Sequence, residues 1–212
     1  MCIRDSFRRC DFRRDVELVH GPLDILDHSA PALGAGTKMG LDATVKREGE
    51  QAFGVPLGEP RLPTHDEAAS ALARLRDAFG AAAIPEWGHG RCAFVAIDKR
   101  AAGDGARAIE RAWSLLPAEQ GAADFLVVVD AGTDLHDWER VLFLMAANAD
   151  LSRDLHRAGH RIAIDATAKR AGDERGGHAV RRYPPLVGFE RSTLEEARSI
   201  ERTNGLSAFE TP

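Results

Sequence analysis

The chain has 212 residues, 44% hydrophobic and 29% charged, with a formal net charge of -5. That length buries one substantial core or two small ones; the longest apolar runs, at 125–129 and 141–147, fall far short of the roughly 20 residues of a bilayer span; and the acidic balance argues against nucleic acid, which is read through a basic face. Three cysteines, Cys2, Cys10 and Cys92, are odd in number and unpatterned, which argues against a disulfide framework and for a reducing, cytoplasmic setting.

The first six residues, "MCIRDS", carry no signal-peptide pattern and read as a translated sequencing adapter, so residues 1–6 are expected to be a non-native leader, with the true chain extending upstream. The basic cluster "RRCDFRR" at 8–14 is interrupted by an acid and reads as solvated surface. "VELVH" at 16–20, closed by Gly-Pro, predicts a strand and turn. A helix follows over about 64–79, with Thr64 and Glu67 as a capping box, Leu72, Leu75 and Phe79 on one face and Gly80 as its stop.

Next, "CAFVAID" at 92–98 and "DFLVVVD" at 124–130 are apolar on both faces and flank a helix in which Ile109, Ala112, Trp113 and Leu116 keep helical spacing. Strands buried on both faces and joined by a helix predict an α/β fold with a parallel or mostly parallel sheet flanked by helices. Asp134 is the expected N-cap of the next helix, "RIAID" at 161–165 a further strand, and Ser192 with Glu195 a second capping box for a last helix that ends at Gly205. That helix has only Leu194, Ala197 and Ile200 as an apolar stripe, and such a helix needs another surface to stay ordered.

Several motifs suggest chemistry that their details refuse. "GAGTKMG" at 34–40 has glycines but lacks the Gly-Lys-Ser/Thr order of a phosphate loop. His156 and His160 stand four apart, but Gly159 weakens a helix there and no acidic or cysteine ligand lies nearby. Asp130, Asp134 and Asp137 lack the spacing of a calcium loop. Asp27, His28 and Ser29 place an acid, a base and a hydroxyl side by side, which turn chemistry explains better than a triad.

The most informative pattern is a repeat. A shift of 123 residues aligns Asp42, Ala43, Thr44, Lys46, Arg47 and Gly49 with Asp165, Ala166, Thr167, Lys169, Arg170 and Gly172. The two copies differ in what precedes them: 28 positions separate Arg14 from Asp42, but only 12 separate Arg153 from Asp165, so the second copy lacks the "HGPLDILDHSAPAL" region. A scaffold used twice fits this better than a catalytic motif used twice. Asp42 and Thr44 are expected to take backbone N–H groups in a turn after a strand ending at Leu41, with Lys38 and Lys46 pairing with the Asp42 carboxylate.

Read together, residues 14–50 resemble the carboxy-terminal end of UbiD-like decarboxylases, through Arg-Asp, a strand, "GPLD", "LDHSAP", "GTKMGLDAT" and a lysine in order. Residues 125–154, with "LHDWE" after an apolar strand, are similar to the segment that precedes that end. The long menaquinone-biosynthesis decarboxylases, with a doubled ending, give the nearest resemblance. It implies residues 7–50 as the tail of a first C-terminal-domain unit, 51–91 as a linker, 92–190 as a second degenerate α/β unit and 191–212 as a C-terminal helix and tail. It also implies non-oxidative decarboxylation of an aromatic or polyprenylated hydroxybenzoate- or naphthoate-type acid in ubiquinone or menaquinone biosynthesis. The family works with prenylated FMN, a divalent metal (manganese) and potassium, held by domains this chain does not contain. No catalytic, cofactor-binding or metal residue is therefore expected here. The implied roles are homo-oligomerisation and one wall of the substrate pocket, formed by Leu23, Ile25, Leu26 and His28. A stand-alone assembly or regulatory module, and a small nucleotide-dependent enzyme, are the competing readings.

Overall fold

In the computed structural model the described residues are 3–47, 60–117, 121–182 and 189–205; Cys2, Gly49 and positions 51–59 of the expected 51–91 linker lie outside them. The chain divides into two units, residues 1–182 and 183–212. In the first, helix α1 (Ile3–Arg9) leads into the antiparallel hairpin β1 (Val16–Pro22) and β2 (Ala35–Leu41). After it come α2 (His65–Phe79), β3 (Ala82–Ala83), β4 (Cys92–Ile97), α3 (Asp104–Leu115), β5 (Phe125–Asp130) and α4 (Trp138–Asn148). The short α5 (Leu151–Asp154), β6 (Leu155–Ala158) and β7 (Arg161–Asp165) complete it. The second unit contains α6 (Arg191–Thr203), in which no residue is buried and Leu194 and Ile200 stand exposed.

The main sheet has the order β3-β4-β5-β7-β6. Its centre, β4-β5-β7, is parallel, as the expected α/β fold with helices on the sheet requires, and both edges are antiparallel, so the sheet is mixed rather than purely parallel. The edges follow from connection length. Gly159, at φ +62, and His160 join β6 to β7 in a turn too short for a parallel crossover. Strand β6 was not foreseen, because "RDLHRAGHR" has one helical turn's worth of pattern; the helix stops at Asp154 and the chain extends at once.

Both faces of the sheet are covered, which is why β4, and β5 up to its final Asp130, are apolar. On one face Leu75 of α2 and Ile109 and Ala112 of α3 pack against Val95, Leu126 and Val128. On the other, Phe7, Phe12 and Val141 pack against Phe94, Phe125, Val127 and Ile164, joined by Val16, Met39 and Leu41 of the hairpin. Each fully buried aliphatic or aromatic side chain contributes roughly 1.5–3 kcal/mol. Arg91 fastens α1 to this face. Its buried guanidinium donates to the carbonyls of Phe7 and Cys10, each at 2.9 Å, pairs with Asp124 at 3.3 Å and lies 4.6 Å from the centre of the Phe12 ring.

The caps partly follow expectation. Thr64 and Glu67 form the reciprocal capping box, and Gly80 stops α2 at φ +77. For α4 the N-cap is Asp137, whose carboxylate takes the Arg140 N–H; Asp134 instead caps the preceding turn through the His136 N–H. Helix α6 starts one residue before Ser192, with Glu190 at its N-cap and no side-chain cap bond, so the Ser192–Glu195 box does not form.

Gly105, in the first turn of α3, lies directly on the Asp165 carboxylate, with no room for a Cβ. Gly105→Ala gains about 1 kcal/mol of helix propensity, but forcing the carboxylate aside costs more, typically 1–3 kcal/mol. Urea unfolding should show net destabilisation.

Candidate functional site

The repeated motif is a repeated structure. In the first copy the Asp15 carboxylate takes the Asp11 N–H at 2.8 Å and pairs with Arg14 Nε at 3.0 Å. In the second, Asp154 takes the Asp150 N–H at 2.8 Å and pairs with Arg153 Nε at 3.1 Å. An antiparallel hairpin then follows in each, β1–β2 or β6–β7, and returns the chain as Asp-Ala-Thr-x-Lys.

In copy one, Asp42 Oδ1 accepts the N–H of Thr44 at 2.9 Å and its hydroxyl at 2.6 Å. In copy two, Asp165 Oδ1 accepts the same groups of Thr167 at 3.0 and 2.5 Å. The lysine closes each figure: Lys46 pairs with Asp42 and lies 3.4 Å from Asp15, and Lys169 lies 3.1 Å from Asp165 and 3.3 Å from Asp154. Thr44 and Thr167 therefore donate to the carboxylates, whereas sequence expected Thr44 to accept. Lys38 does not join Asp42, which lies four residues or about 13 Å further along the strand and is taken by Lys46; it pairs with Asp27 across the hairpin loop.

Burial separates the two copies. The Asp42 side chain is 52% exposed and that of Asp165 8%. The Lys46 ammonium, then the Thr44 hydroxyl and N–H, bring the Asp42 carboxyl down to about 2. Burial pushes Asp165 up, but Lys169, the Thr167 hydroxyl and Lys99 outweigh it and leave its carboxyl below the ordinary value. At Asp154 burial prevails over Lys169 and Arg153, and the carboxyl is raised. Lys99, from the end of β4, donates to Thr167 Oγ1 at 2.9 Å, to the Ala168 carbonyl at 3.0 Å and to Asp173 at 2.7 Å. This second lock is sealed and its groups are committed to one another. It has the chemistry of a brace.

The loop over 23–34 is where the copies differ, and residues of the second copy hold it. Arg153 Nη2 donates to the Ser29 carbonyl at 3.3 Å, Arg181 Nη1 to the Asp27 carbonyl at 3.2 Å, and the Asp150 carboxylate takes the Thr37 N–H at 2.9 Å. Gly36 is required there, since a Cβ would run into Asp150, Leu23 and Ala30. Asp27 takes the Ser29 N–H and hydroxyl, and His28 stands half-buried beside this turn, so Asp27, His28 and Ser29 do not assemble as a triad. Leu23 is half-buried, while Ile25, Leu26 and Leu33 are 68%, 81% and 70% exposed. A loop braced through its carbonyls thus presents aliphatic side chains outward.

His156, His160 and Asp130 also have structural partners. His156 lies buried on β6 with Arg175 Nη1 2.9 Å from its Nε2, and burial, then Arg175, lowers it to about 4. His160, in the next turn, lies 3.3 Å from Asp124. Asp130 takes the Ala168 N–H at 2.6 Å. Among the described residues no cluster of three His, Cys, Asp or Glu could hold a metal. A groove of about 560 Å³ beside the start of α2 is lined by Leu62, Pro63, Leu72, Ile84 and their neighbours, with no Lys or Arg to meet a phosphate. A flavin mononucleotide does not fit these residues.

Sequence reasoning missed Arg153, Arg181 and Asp150 as holders of the loop. Their only signal was that Asp150 and Arg153 stand before the second copy at the spacing of Asp11 and Arg14.

A family profile described as the 3-octaprenyl-4-hydroxybenzoate carboxy-lyase C-terminal domain matches residues 67–180. That range contains the sheet and the second Asp-Ala-Thr and leaves out the hairpin at 14–50. Similar solved structures include an evolved dimeric form of the UbiD-class enzyme HmfF from Pelotomaculum thermopropionicum in complex with prFMN. It has 24% identity and a TM-score of 0.40, over 49% of this chain and 25% of that one. Vanillic acid decarboxylase of Sedimentibacter hydroxybenzoicus, in closed form, has 16% identity and a TM-score of 0.48, over 63% and 31%. Apo 3,4-dihydroxybenzoic acid decarboxylase of Klebsiella pneumoniae has 15% identity and a TM-score of 0.41, over 62% and 32%. The chain spans between a quarter and a third of the length of these structures.

Two expectations follow from the locks. Asp165→Ala leaves Lys169 and Thr167 short of a buried partner and should cost about 3 kcal/mol or more, while Asp42→Ala, at an exposed pair, should cost under about 1 kcal/mol; equilibrium unfolding of both decides. His156 binds its proton more weakly folded than unfolded, so its contribution is complete above the unfolded value near 6.5 and is lost as pH falls from there toward about 4. Wild-type stability should decline between pH 7 and 5, and His156→Gln should flatten that decline.

Proposed function

The chain belongs to the 3-octaprenyl-4-hydroxybenzoate carboxy-lyase family through its C-terminal domain, and from that membership we propose that it is the C-terminal part of a UbiD-like decarboxylase. The whole protein, on this reading, removes carbon dioxide non-oxidatively from an aromatic or polyprenylated hydroxybenzoate- or naphthoate-type acid in ubiquinone or menaquinone biosynthesis. Prenylated FMN, manganese and potassium would be bound by other domains of that protein. The setting is cytoplasmic, in keeping with Cys10 and Cys92, both buried and unpaired. No helix among the described residues is long and apolar enough to cross a membrane.

The observation that carries a role for this part is the braced loop. Side chains as apolar as Ile25 and Leu26, exposed on a loop whose backbone Arg153 and Arg181 hold, cost solubility unless something covers them. We assign them, with Leu23 and His28, to one wall of the substrate pocket and to contact between subunits.

Titration of the isolated chain with prenylated FMN should show no stoichiometric binding, and tight binding would contradict the assignment of the cofactor to other domains. In the complete enzyme Leu26→Ala should raise KM about tenfold, the loss of roughly 1.5 kcal/mol of buried aliphatic contact. Unchanged kinetics would remove the loop from the pocket.

A further inference from the structure

We infer that the outer edge of β2 is the docking site of a further parallel strand, carried by a β-α-β unit built like residues 92–130 and lying on the same polypeptide. This rests on the reading of the hairpin as the end of a first C-terminal unit, and adds what the hairpin pairs with and in which register.

Backbone alternation defines the edge. The Asp42 N–H donates to the Asp15 carbonyl and the Leu23 N–H to the Gly34 carbonyl, so alternate residues between them face β1 and the others face away. Thr37 is one that faces away, with its N–H on Asp150. Met39 and Leu41 share its direction, and among the described residues no strand lies on that side of β2. In the second copy the corresponding edge is filled. Ile162, Ile164 and Ala168 are the counterparts of Met39, Leu41 and Val45, and β5 pairs in parallel along β7. There Ile162 donates to the Asp124 carbonyl at 2.8 Å, and Ala168 to the carboxylate of Asp130, the last residue of β5, at 2.6 Å.

The exposed polar groups describe the same occupant. Asp165 is covered by Gly105 at the start of α3, and Thr167 by Lys99 at the end of β4. Asp42 and Thr44 have no such cover, and Val19 is 57% exposed on the hairpin face opposite Met39 and Leu41. The occupant therefore brings an apolar strand ending in an aspartate that takes the Val45 N–H, a lysine that reaches Thr44, and a helix whose first turn has glycine over Asp42. A second copy of this chain does not supply it, because its own β5 is already paired on both edges, with β4 and β7.

Residue-resolved amide exchange tests this. In the 212-residue chain the N–H groups of Met39, Leu41 and Val45 should exchange at least 100-fold faster than those of Ile162, Ile164 and Ala168. Equal protection, or protection that rises with protein concentration, overturns the inference, the second by making another copy the occupant. In a tandem chain with residues 92–130 repeated ahead of Asp11, the three amides should slow by at least 100-fold. Replacing the repeated unit's final aspartate by alanine should return Val45 alone to fast exchange. Amides that stay fast in the folded tandem chain overturn the inference, and the exchange ratio within the 212-residue chain decides it whether or not the tandem chain folds. The decarboxylase reading is decided by cofactor titration and kinetics and survives that outcome.

Discussion

The Lys169 ammonium, fully buried between the carboxylates of Asp154 and Asp165, is the interaction on which the second half of the fold depends. Burying three charges is costly, and a pair in such a place is stable only when hydrogen bonds satisfy its remaining valences. Here they do: Arg153 and the Asp150 N–H complete Asp154, and Thr167 completes Asp165. The network fixes where β6 begins and where β7 ends. From that point Thr167 meets Lys99 and Asn148 reaches the Ala166 carbonyl, so strands β4 and β7 and helix α4 are tied at one end of the sheet.

The same groups at the same spacing produce a different environment in the first copy. Asp42 and Lys46 make the bonds that Asp165 and Lys169 make, yet Asp42 stands half in water. A motif therefore specifies its own hydrogen bonds, while burial is set by what packs over it. This is why the repeat could be recognised from sequence and the energetic inequality of its copies could not.

Legibility followed the range of the interactions. The central strands and α2 and α3 were plain, because continuous apolar runs and a local capping box are written within a few residues. Strand β6 was hidden, since four residues with one buried side chain carry no period. The caps of α4 and α6 were displaced by a turn and by two residues, a local competition among neighbouring Asp, Ser and Glu that spacing does not resolve. The partner of Lys38 was misread because Asp27 lies across a hairpin loop, and the arginine clamps on that loop join residues 124 and 154 positions apart. Exposure of Ile25 and Leu26 likewise belongs to the folded chain, since their sequence pattern is also that of a core strand.

The two hairpins are closed by equivalent groups, yet one turns in the pair Gly159–His160 and the other carries the loop over 23–34. Closing a longer flexible loop costs only about 0.6 kcal/mol for each doubling of its length, which is small beside a buried ionic frame. Loop length has thereby been uncoupled from the stability of the frame. Selection could lengthen, shorten or rewrite the excursion in either copy without renegotiating the core, and the Gly159–His160 turn is the natural place to graft a new sequence onto this protein.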